Sequence, residues 1–169
     1  MKPGIGPVEP LDGAHDLDAF DCGSAPLDRF LKVHALGNQA AESVRTYVVC
    51  RAPRRVVGYY SLCTGGVERE RAPARVAKGL AAHPIPVMLL ARLAVDRGAQ
   101  GRGIGRALLK DALARTASAA DIAGIRALIV HAKDDAARAW YAKFDFEPSP
   151  SDPFHLFLML KDIRASLPR

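Results

Sequence analysis

The middle of the chain reads Leu93-Ala94-Val95-Asp96-Arg97-Gly98-Ala99-Gln100-Gly101-Arg102-Gly103-Ile104-Gly105. An apolar run ends at Val95, three glycines follow in alternation, and a long amphipathic segment begins behind them. This pattern predicts a glycine-rich turn between a buried strand and the N-terminus of a helix. Such a turn binds anions, because main-chain N–H groups are unpaired there and the positive end of the helix dipole points at it. Arg102 and Arg106 add positive charge, so we predict a phosphate-binding loop.

Three kinds of nucleotide-binding loop have glycines at such a turn, and position separates them. A P-loop requires a lysine and then a serine or threonine after its last glycine, whereas Gly105 precedes Arg106 and Ala107. A dinucleotide-binding loop follows the first strand of its fold, whereas this loop lies past the middle of the chain and has a different spacing. The pattern that remains is Gln-x-x-Gly-x-Gly after a strand that ends in Val-Asp. A turn with a packing role alone is the other interpretation.

Hydrophobic periodicity along the rest of the chain predicts a mixed α/β fold. Ser24 and Asp134 are the predicted N-caps of the first and last helices. Residues 68–84 are interpreted as a basic connection with one helical turn. Strands are predicted at residues 8–11, 46–50, 56–63, 87–95, 126–131 and 154–161, and helices at residues 26–34, 103–120 and 135–143. The predicted inner faces of the first and the longest helix are Leu27, Phe30, Leu31 and His34, and Ile104, Leu108, Leu109, Ala112 and Leu113.

The length and composition predict one compact domain, residues 1–169, with a single core. No apolar run approaches the roughly 20 residues of a membrane span, and no apolar segment follows the N-terminal charge as in a secretion signal. The net charge of +6 favours anionic partners, among them coenzyme A and nucleic acid. Cys22, Cys50 and Cys63 are an odd number with spacings that fit neither a metal site nor a disulfide framework. We therefore expect reduced thiols, a cytoplasmic location and no metal.

The loop and its surroundings resemble the Gcn5-related N-acetyltransferases, the GNAT family. The likeness extends from about Tyr47 to Leu160 and includes the loop pattern, the strand before it, the next strand at residues 128–131 and the helix with Tyr141. It implies a mixed central sheet flanked by helices, with a splayed central strand pair that holds acetyl-CoA. The pyrophosphate is expected on the loop and the pantetheine arm beside the strand. The residues that this resemblance assigns to acetyl-CoA are Leu93, Ala94, Val95, Gln100, Gly101, Arg102, Gly103, Ile104, Gly105, Arg106, His131, Asp134, Ala137 and Tyr141.

Tyr141 is the catalytic residue that the resemblance implies. In this family a tyrosine at this place lies near the sulfur of coenzyme A, and a phenol with a pKa of about 10 holds its proton at neutral pH. We expect Tyr141 to be the general acid that protonates the leaving thiolate. A core tyrosine without a catalytic role is the alternative, although Trp140 and Phe144 suit a packing role better.

Residues 87–95 contain no carboxylate that would act as a general base for a substrate amine. A lysine-type amine has a pKa of about 10.4, whereas an α-amine has a pKa of about 7.7 to 8.0 and is partly neutral at pH 7. The substrate is therefore expected to be an α-amine that attacks without a strong base. His131 stays open as a base or as a structural residue at the end of its strand.

Several further segments resemble a narrower group, the acetyltransferase toxins of bacterial type II toxin-antitoxin pairs. This resemblance implies transfer of acetyl to the α-amine of aminoacyl-tRNA, which blocks translation. It also implies a homodimer and a small ribbon-helix-helix antitoxin whose tail covers the cleft. The matching segments are residues 20–23, 27–31, 46–48, 58–62, 83–87, 90–96 and 149–163.

Basic residues are candidates for binding the tRNA phosphates, which supply most nucleic-acid affinity. The alternative for each residue is an ordinary solvated charge without a role in binding. Arg92 is the strongest candidate because it stands on the strand beside the predicted cleft. Two other functions stay open: a small-molecule amine acetyltransferase, which should have acidic residues around its substrate, and a non-catalytic module that binds coenzyme A or RNA. The candidate cations are Arg29, Lys32, Arg69, Arg71, Arg75, Lys78 and Arg92.

Overall fold

The computed structural model describes residues 4–51, 53–81 and 83–168. Its seven strands form one mixed sheet in the order β1-β2-β3-β4-β5-β7-β6, accompanied by helices, which confirms the predicted α/β class. No helix in the described ranges is long and apolar enough to cross a membrane. The elements are β1 (Glu9–Pro10), α1 (Ala25–Arg29), α2 (Ala35–Ala40), β2 (Arg45–Arg51), β3 (Arg55–Val67), α3 (Ala74–Ala77), β4 (Ile85–Val95), α4 (Ile104–Ala120), β5 (Ala127–His131), α5 (Asp135–Ala142), β6 (Glu147–Ser149), β7 (Asp152–Met159) and α6 (Leu160–Ser166).

The chain divides into two compact units. The first unit comprises the residues up to Cys63 together with Ala91–Ala112, and the second comprises Thr64–Leu90 together with the residues from Leu113 onward. β3, β4 and α4 therefore each contribute residues to both units. The single domain expected for residues 1–169 stays a prediction.

The first unit is built on the antiparallel strands β1, β2 and β3. Tyr47 of β2 lies opposite Tyr60 of β3, and the register shifts between Val49 and Cys50. β-Branched and aromatic residues dominate both long strands, and the predicted hairpin is confirmed with slightly longer strands. The core of this unit contains Leu11, Phe20, Phe30, Leu31, Ala35, Val44, Val48, Val56, Tyr59 and Ala94.

The first helical stretch differs from the prediction in the residues of its inner face. Phe30 and Leu31 are buried as expected, but His34 is exposed and Ala35 is fully buried. The cause is a π-turn between α1 and α2, in which the Ala35 N–H donates to the Phe30 carbonyl and the inner face shifts by one position. Ser24 takes the predicted N-cap position, but its side chain makes no capping hydrogen bond.

α4 is the longest helix and begins where the glycine-rich loop ends. Its first main-chain hydrogen bond runs from the Ala107 N–H to the Gly103 carbonyl. Gly58 of β3 packs against its first turns, where a Cβ would stand 3.0 Å from Leu108 Cδ1 and 3.1 Å from Ile104 Cγ2. Glycine at this position therefore permits the close approach of β3 to α4. All five residues predicted for the inner face of α4 are buried, which confirms that prediction.

The second unit contains a parallel strand pair and an antiparallel group. β4 pairs with β5 through residues 87–89 opposite residues 127–129, and β5 pairs with β7 along its whole length. The parallel ladder is thus three residues long, although β4 continues to Val95 and β5 to His131. The core of this unit contains Val67, Ala72, Val76, Ala77, Ile85, Val87, Ala127, Ile129, Phe157 and Met159.

The last predicted strand, residues 154–161, is wrong at its C-terminal end, because β7 ends and α6 begins at Leu160. Leu160 and the fully buried Ile163 are three positions apart, which is a helical spacing. Asp162 stands in the first turn of α6, where the helix dipole favours a carboxylate. The sequence did not predict β6, because this strand has only three residues and Pro148 stands at its centre.

Candidate functional site

Asp96 anchors the start of the predicted phosphate-binding loop within the first unit. Its carboxylate is buried and accepts hydrogen bonds from the Asp21 N–H through Oδ1 and from the Gly98 N–H through Oδ2, each at 2.9 Å. Its own N–H donates to the Val57 carbonyl, and the Arg97 N–H donates to the Asp21 carbonyl. The loop is therefore fixed by a segment 75 positions earlier in the chain, a separation that sequence patterns do not bridge.

Gln100 stabilises the loop with its side chain. Its Nε2 donates to the Val95 carbonyl at 2.9 Å and to the Cys22 carbonyl at 3.3 Å. The two N–H donors of the side-chain amide are thus used within the protein, so the donor that Gln100 has left for an anionic ligand is its main-chain N–H. Gly101 and Gly103 have φ angles of +75° and +82°, in the left-handed region that favours glycine. The backbone conformation of the loop therefore favours glycine at these two positions, independently of any ligand.

The N-terminus of α4 combines unpaired donors with positive charge. The N–H groups of its first turn have no intrahelical acceptor and face the predicted phosphate site. Arg102, Arg106 and Lys110 are exposed, and none of the ion pairs among the described residues involves them. Lys110 is absent from the sequence-based prediction, although its four-residue spacing from Arg106 puts both on one helix face. The three cations line a pocket of the first unit together with Ile5, Gly103, Ile104 and Ala107.

The residues predicted to contact the pantetheine arm lie at the end of β4. Ala94 is buried, and Leu93 and Val95 are half-buried. The ladder between β4 and β5 ends six residues before Val95, since its last pair is Leu89 with Ile129. Among the described residues no β4–β5 pair follows Leu89, so this ladder does not use the main-chain groups in the last part of β4.

Arg92 places its guanidinium on an aromatic ring. Its Cζ lies 3.7 Å from the centroid of the Phe30 ring, within the range of a cation–π interaction. The Phe30 ring in turn stacks on Tyr59 with centroids 6.3 Å apart, and the Tyr59 hydroxyl donates to the Leu27 carbonyl at 2.7 Å. Arg92 is half-buried, so this stack holds its charge at a fixed place in the first unit.

Tyr141 is the buried residue of α5. Its ring packs edge-on against Trp140 and Phe146, with centroids 5.0 and 5.4 Å away. Burial raises the pKa of Tyr141 above its ordinary value of 10.0, so the phenol keeps its proton through the neutral range. None of the hydrogen bonds among the described residues involves its hydroxyl, which is available to a ligand. Trp140 and Phe144 are half-buried, so Tyr141 contributes more to packing than expected.

The end of β5 leads directly into the cap of α5. Asp134 caps this helix as predicted, since its Oδ1 accepts from the Ala137 N–H at 2.8 Å. The N–H of Ala137, a residue predicted to contact acetyl-CoA, is therefore already satisfied within the protein. His131 is exposed at the end of β5 and lies opposite His155 of β7, with the two rings stacked 4.1 Å apart.

Two arginines of the basic connection between β3 and β4 are engaged by other groups of the second unit. Arg69 donates to the carbonyls of Ala77, Leu80 and Ala81, which lie at and after the end of α3. Arg75 lies 3.0 Å from a carboxylate oxygen of Glu147 and 3.0 Å from one of Asp162, and these hydrogen bonds raise the pKa of Arg75.

The other predicted tRNA contacts are unpaired. Arg71 and Lys78 of the basic connection, Arg29 at the end of α1 and Lys32 in the π-turn are all exposed. None of the ion pairs among residues 4–51, 53–81 and 83–168 involves these four side chains. Their charges are therefore available to an anionic partner, in contrast to the charge of Arg75.

One cluster has the chemistry of metal ligands but is occupied by hydrogen bonds. Donor atoms of Glu9, His15 and Cys50 lie within 4.8 Å of one another. His15 Nε2 donates to Glu9 Oε1 at 2.6 Å, and His15 Nδ1 accepts from the Asp12 N–H at 3.0 Å, so both ring nitrogens are engaged. Burial and the Glu9 charge raise the pKa of the Cys50 thiol to about 11. Arg54 Nη2 also lies 3.4 Å from Nε2 of His15. Because hydrogen bonds occupy these donor atoms, and Glu9 and Cys50 lie on neighbouring strands, we interpret the cluster as a polar contact between β1 and β2.

Cys22, Cys50 and Cys63 form no disulfide bond among the described residues, as expected for reduced thiols. The expectation that the chain uses no metal stays a prediction.

A comparison with protein families assigns the class of this protein. Residues 43–148 match the acetyltransferase (GNAT) domain. The chain therefore belongs to the GNAT acetyltransferase family, and the resemblance inferred from its loop, strands and Tyr141 helix is confirmed.

Individual relatives narrow this class to the acetyltransferase toxins. A tRNA-acetylating toxin of Mycobacterium tuberculosis (strain ATCC 25618 / H37Rv) is 49% identical over 155 residues, which are 92% of this chain and 92% of that protein. The structure of AtaT complexed with acetyl-methionyl-tRNAfMet has a TM-score of 0.88 and 34% identity, and covers 95% of this chain and 98% of that chain. A mutant AtaT toxin bound to the C-terminus of the antitoxin AtaR and acetyl-CoA has a TM-score of 0.80 and 33% identity, with coverages of 95% and 96%.

Proposed function

We propose that this protein is a toxin that transfers acetyl from acetyl-CoA to the α-amine of aminoacyl-tRNA and so blocks translation. The observation that carries the proposal is the 49% identity, over nine-tenths of the chain, to a protein named for tRNA acetylation. The solved AtaT complexes hold the acetylated tRNA product in one case and acetyl-CoA in another. The basic residues of this chain suit the same anionic substrates.

The residues of the glycine-rich loop fit the pyrophosphate of acetyl-CoA. The unpaired N–H groups at the N-terminus of α4 are donors for phosphate oxygens, and Gly101 and Gly103 have no Cβ to obstruct them. Arg102, Arg106 and Lys110 add three unpaired positive charges to the same pocket. Acetyl-CoA supplies an activated acetyl thioester at the site, and the end of β4 would hold its pantetheine arm.

The proposed chemistry needs one acid and no strong base. The neutral α-amine attacks the acetyl carbonyl, a C–N bond forms, the C–S bond breaks, and the nitrogen loses its proton to solvent. Tyr141 holds a proton on Oη and gives it to the leaving thiolate. Because burial raises the pKa of Tyr141 above its ordinary value of 10.0, this proton is still present at the pH of about 8 at which an α-amine becomes largely neutral.

The partners are part of the same proposal. We expect a homodimer in the cytoplasm whose site is covered by the tail of a ribbon-helix-helix antitoxin. The complex of AtaT with the C-terminus of its antitoxin AtaR supports an antitoxin that acts through its tail. Four unpaired cations, at positions 29, 32, 71 and 78, supply the contacts that we propose for tRNA phosphates, with Arg92 beside the reacting end.

The test is transfer of labelled acetyl from acetyl-CoA to a pool of charged tRNAs, with deacylated tRNA, free amino acids and small amines as separate substrates. Label on charged tRNA alone supports the proposal and identifies the amino acid. Label on free small amines alone would reassign the protein as a small-molecule acetyltransferase. Acetyl-CoA binding without transfer to any acceptor would indicate a non-catalytic module.

A further inference from the structure

Three aromatic rings form a column at the end of β5 in the second unit. The rings of His131 and His155 stack with centroids 4.1 Å apart and planes inclined by 17°. On its other side His155 contacts Phe157, with centroids 4.7 Å apart. Because His131 and His155 are directly opposite in the β5–β7 register, the strand pairing itself fixes the stack. His131 is exposed, so the column ends in an aromatic face toward solvent.

His155, the middle ring of the column, is suited to stay neutral. His155 is 7% exposed, and its Nε2 is buried without a hydrogen-bond partner among the described residues. Burial, and then the neighbouring His131, lower the pKa of His155. Arg71 lowers it further and Asp152 opposes this effect, and these are the charged groups that act on the ring. His155 is thus a neutral ring that supports His131 from below. Such support favours the stacking of a flat ligand on the other face of His131.

Ring contacts and hydrogen bonds to other described residues leave one face of the His131 ring unoccupied. None of the ring contacts among the described residues, other than the His155 stack, involves His131, and none of their hydrogen bonds does. Because His131 is also exposed, no ring or hydrogen-bonding group of the described residues occupies its outer face. Arg71, which acts electrostatically on this column and has no ion-pair partner in the described ranges, supplies a positive charge nearby.

We propose that the outer face of His131 stacks on the unpaired base at the 3′ end of the tRNA acceptor arm, with Arg71 on a neighbouring phosphate. This inference rests on the proposed function, because the α-amine that reacts is esterified to that terminal nucleotide. Single-stranded RNA ends are recognised mainly by stacking of bases on aromatic side chains, histidine included, and by cations on the backbone. An open aromatic face supported by a neutral ring, next to a free arginine, has both features.

The experiment uses a deacylated acceptor-stem minihelix with 2-aminopurine at its terminal position, because stacking quenches the fluorescence of this base. The wild-type protein should quench the probe when it binds. His131→Phe should bind and quench like the wild type, since it retains a ring, whereas His131→Ala should quench little and bind about tenfold more weakly. A minihelix with 2-aminopurine inside the base-paired stem is the matched control and should not be quenched by any variant. Thermal melting of the free proteins checks that both variants fold.

Kinetics on charged tRNA separate the possible roles of His131. Stacking predicts that the KM for charged tRNA rises in His131→Ala and that the ring in His131→Phe restores it, whereas the acetyl-CoA contact that the family resemblance implies for His131 would raise the KM for acetyl-CoA. Equal losses of kcat in both variants would instead make His131 a general base and overturn the proposal. A raised KM for acetyl-CoA alone would assign the column to coenzyme A. Quenching that persists in His131→Ala would mean that the base stacks elsewhere, which also overturns it.

Failure of this inference differs from failure of the proposed function. If the wild type acetylates charged tRNA but does not quench the bound probe, the stack is wrong and the function stands. If the wild type transfers no acetyl to charged tRNA, the proposed function fails and the inference fails with it.

Discussion

Tyr141 combines a buried ring with a hydroxyl that makes no hydrogen bond to the described part of the chain. Tyr141→Phe deletes that hydroxyl and keeps the ring contacts with Trp140 and Phe146. General acid catalysis contributes about 10²- to 10⁴-fold, so we expect kcat to fall by about that factor while the Kd for acetyl-CoA and the Tm stay close to wild type. Steady-state kinetics with charged tRNA and calorimetric binding of acetyl-CoA measure the two effects. Tyr47→Phe, which deletes a hydroxyl on β2, is the control, and an unchanged kcat in Tyr141→Phe would remove this residue from the mechanism.

His155 makes the folded state sensitive to acid. Its pKa is lowered in the folded protein relative to the ordinary value of 6.5, so the unfolded chain binds more protons between these two pKa values. The stability from keeping His155 neutral is complete above about pH 6.5 and is lost as pH falls through the folded pKa. We expect His155→Phe to lose less stability than the wild type between about pH 7.5 and 5.5. Urea unfolding at several pH values tests this; His34→Gln, at an exposed position, is the control, and parallel curves for all three proteins would contradict it.

The glycine-rich loop is the element in which backbone conformation and ligand binding meet. Gly103 has φ of +82°, and a Cβ there would meet no atom within 4 Å, so the cost of Gly103→Ala is conformational. A left-handed conformation costs an L-residue about 1 to 2 kcal/mol, so we expect lower stability or a shifted loop and a raised Kd for acetyl-CoA. Gly37→Ala is the matched control, since Gly37 lies in α2 with equally open surroundings and without a positive φ. Titration calorimetry with acetyl-CoA measures the Kd of both variants. An unaltered Kd in Gly103→Ala would argue against the loop as the pyrophosphate site.

Elements with a strong local signal could be predicted from the sequence. The β2–β3 hairpin and the inner face of α4 follow from β-branched runs and from a 3.6-residue period that tertiary contacts do not alter. The π-turn before Ala35 could not be predicted, because a single inserted residue leaves the apolar pattern almost unchanged while it moves His34 outward. The start of α6 was missed for a related reason: Leu160 continues an apolar strand, and its pairing with Ile163 becomes informative only once the strand has ended.

The candidate site divides in the same way between local and distant interactions. The Gln-x-x-Gly-x-Gly pattern and Tyr141 are local and could be found in the sequence. The support of the loop by Asp96 and Asp21, and the pairing of Arg75 with Glu147 and Asp162, join residues more than 70 positions apart. Arginines that look alike in the sequence therefore differ in the folded protein. Some bind groups of the protein itself, and others have no ion-pair partner among the described residues.

At the scale of the whole molecule, the net charge of +6 counts arginines whose side chains are not available to bind RNA phosphates. Arg69 and Arg75 serve the protein's own structure, and Arg164 lies 3.0 Å from Asp121. Such paired charges still raise the long-range potential that attracts tRNA, but they do not displace counterions from phosphates at contact. The salt dependence of binding therefore separates free cations from paired ones.

Substitution of one free and one paired arginine tests this distinction for tRNA binding. Arg71→Gln removes an unpaired charge and Arg164→Gln removes a paired one, so both variants lower the net charge by the same amount. Each phosphate contact contributes about 0.7 to 0.9 to the slope of log K against log salt concentration, so Arg71→Gln should reduce that slope by about one contact and Arg164→Gln should leave it near the wild-type value. Fluorescence anisotropy of labelled tRNA between about 50 and 300 mM KCl measures the slope. Equal slopes for the wild type and Arg71→Gln would place Arg71 outside the interface, whereas equal reductions in both variants would mean that net charge alone controls the binding.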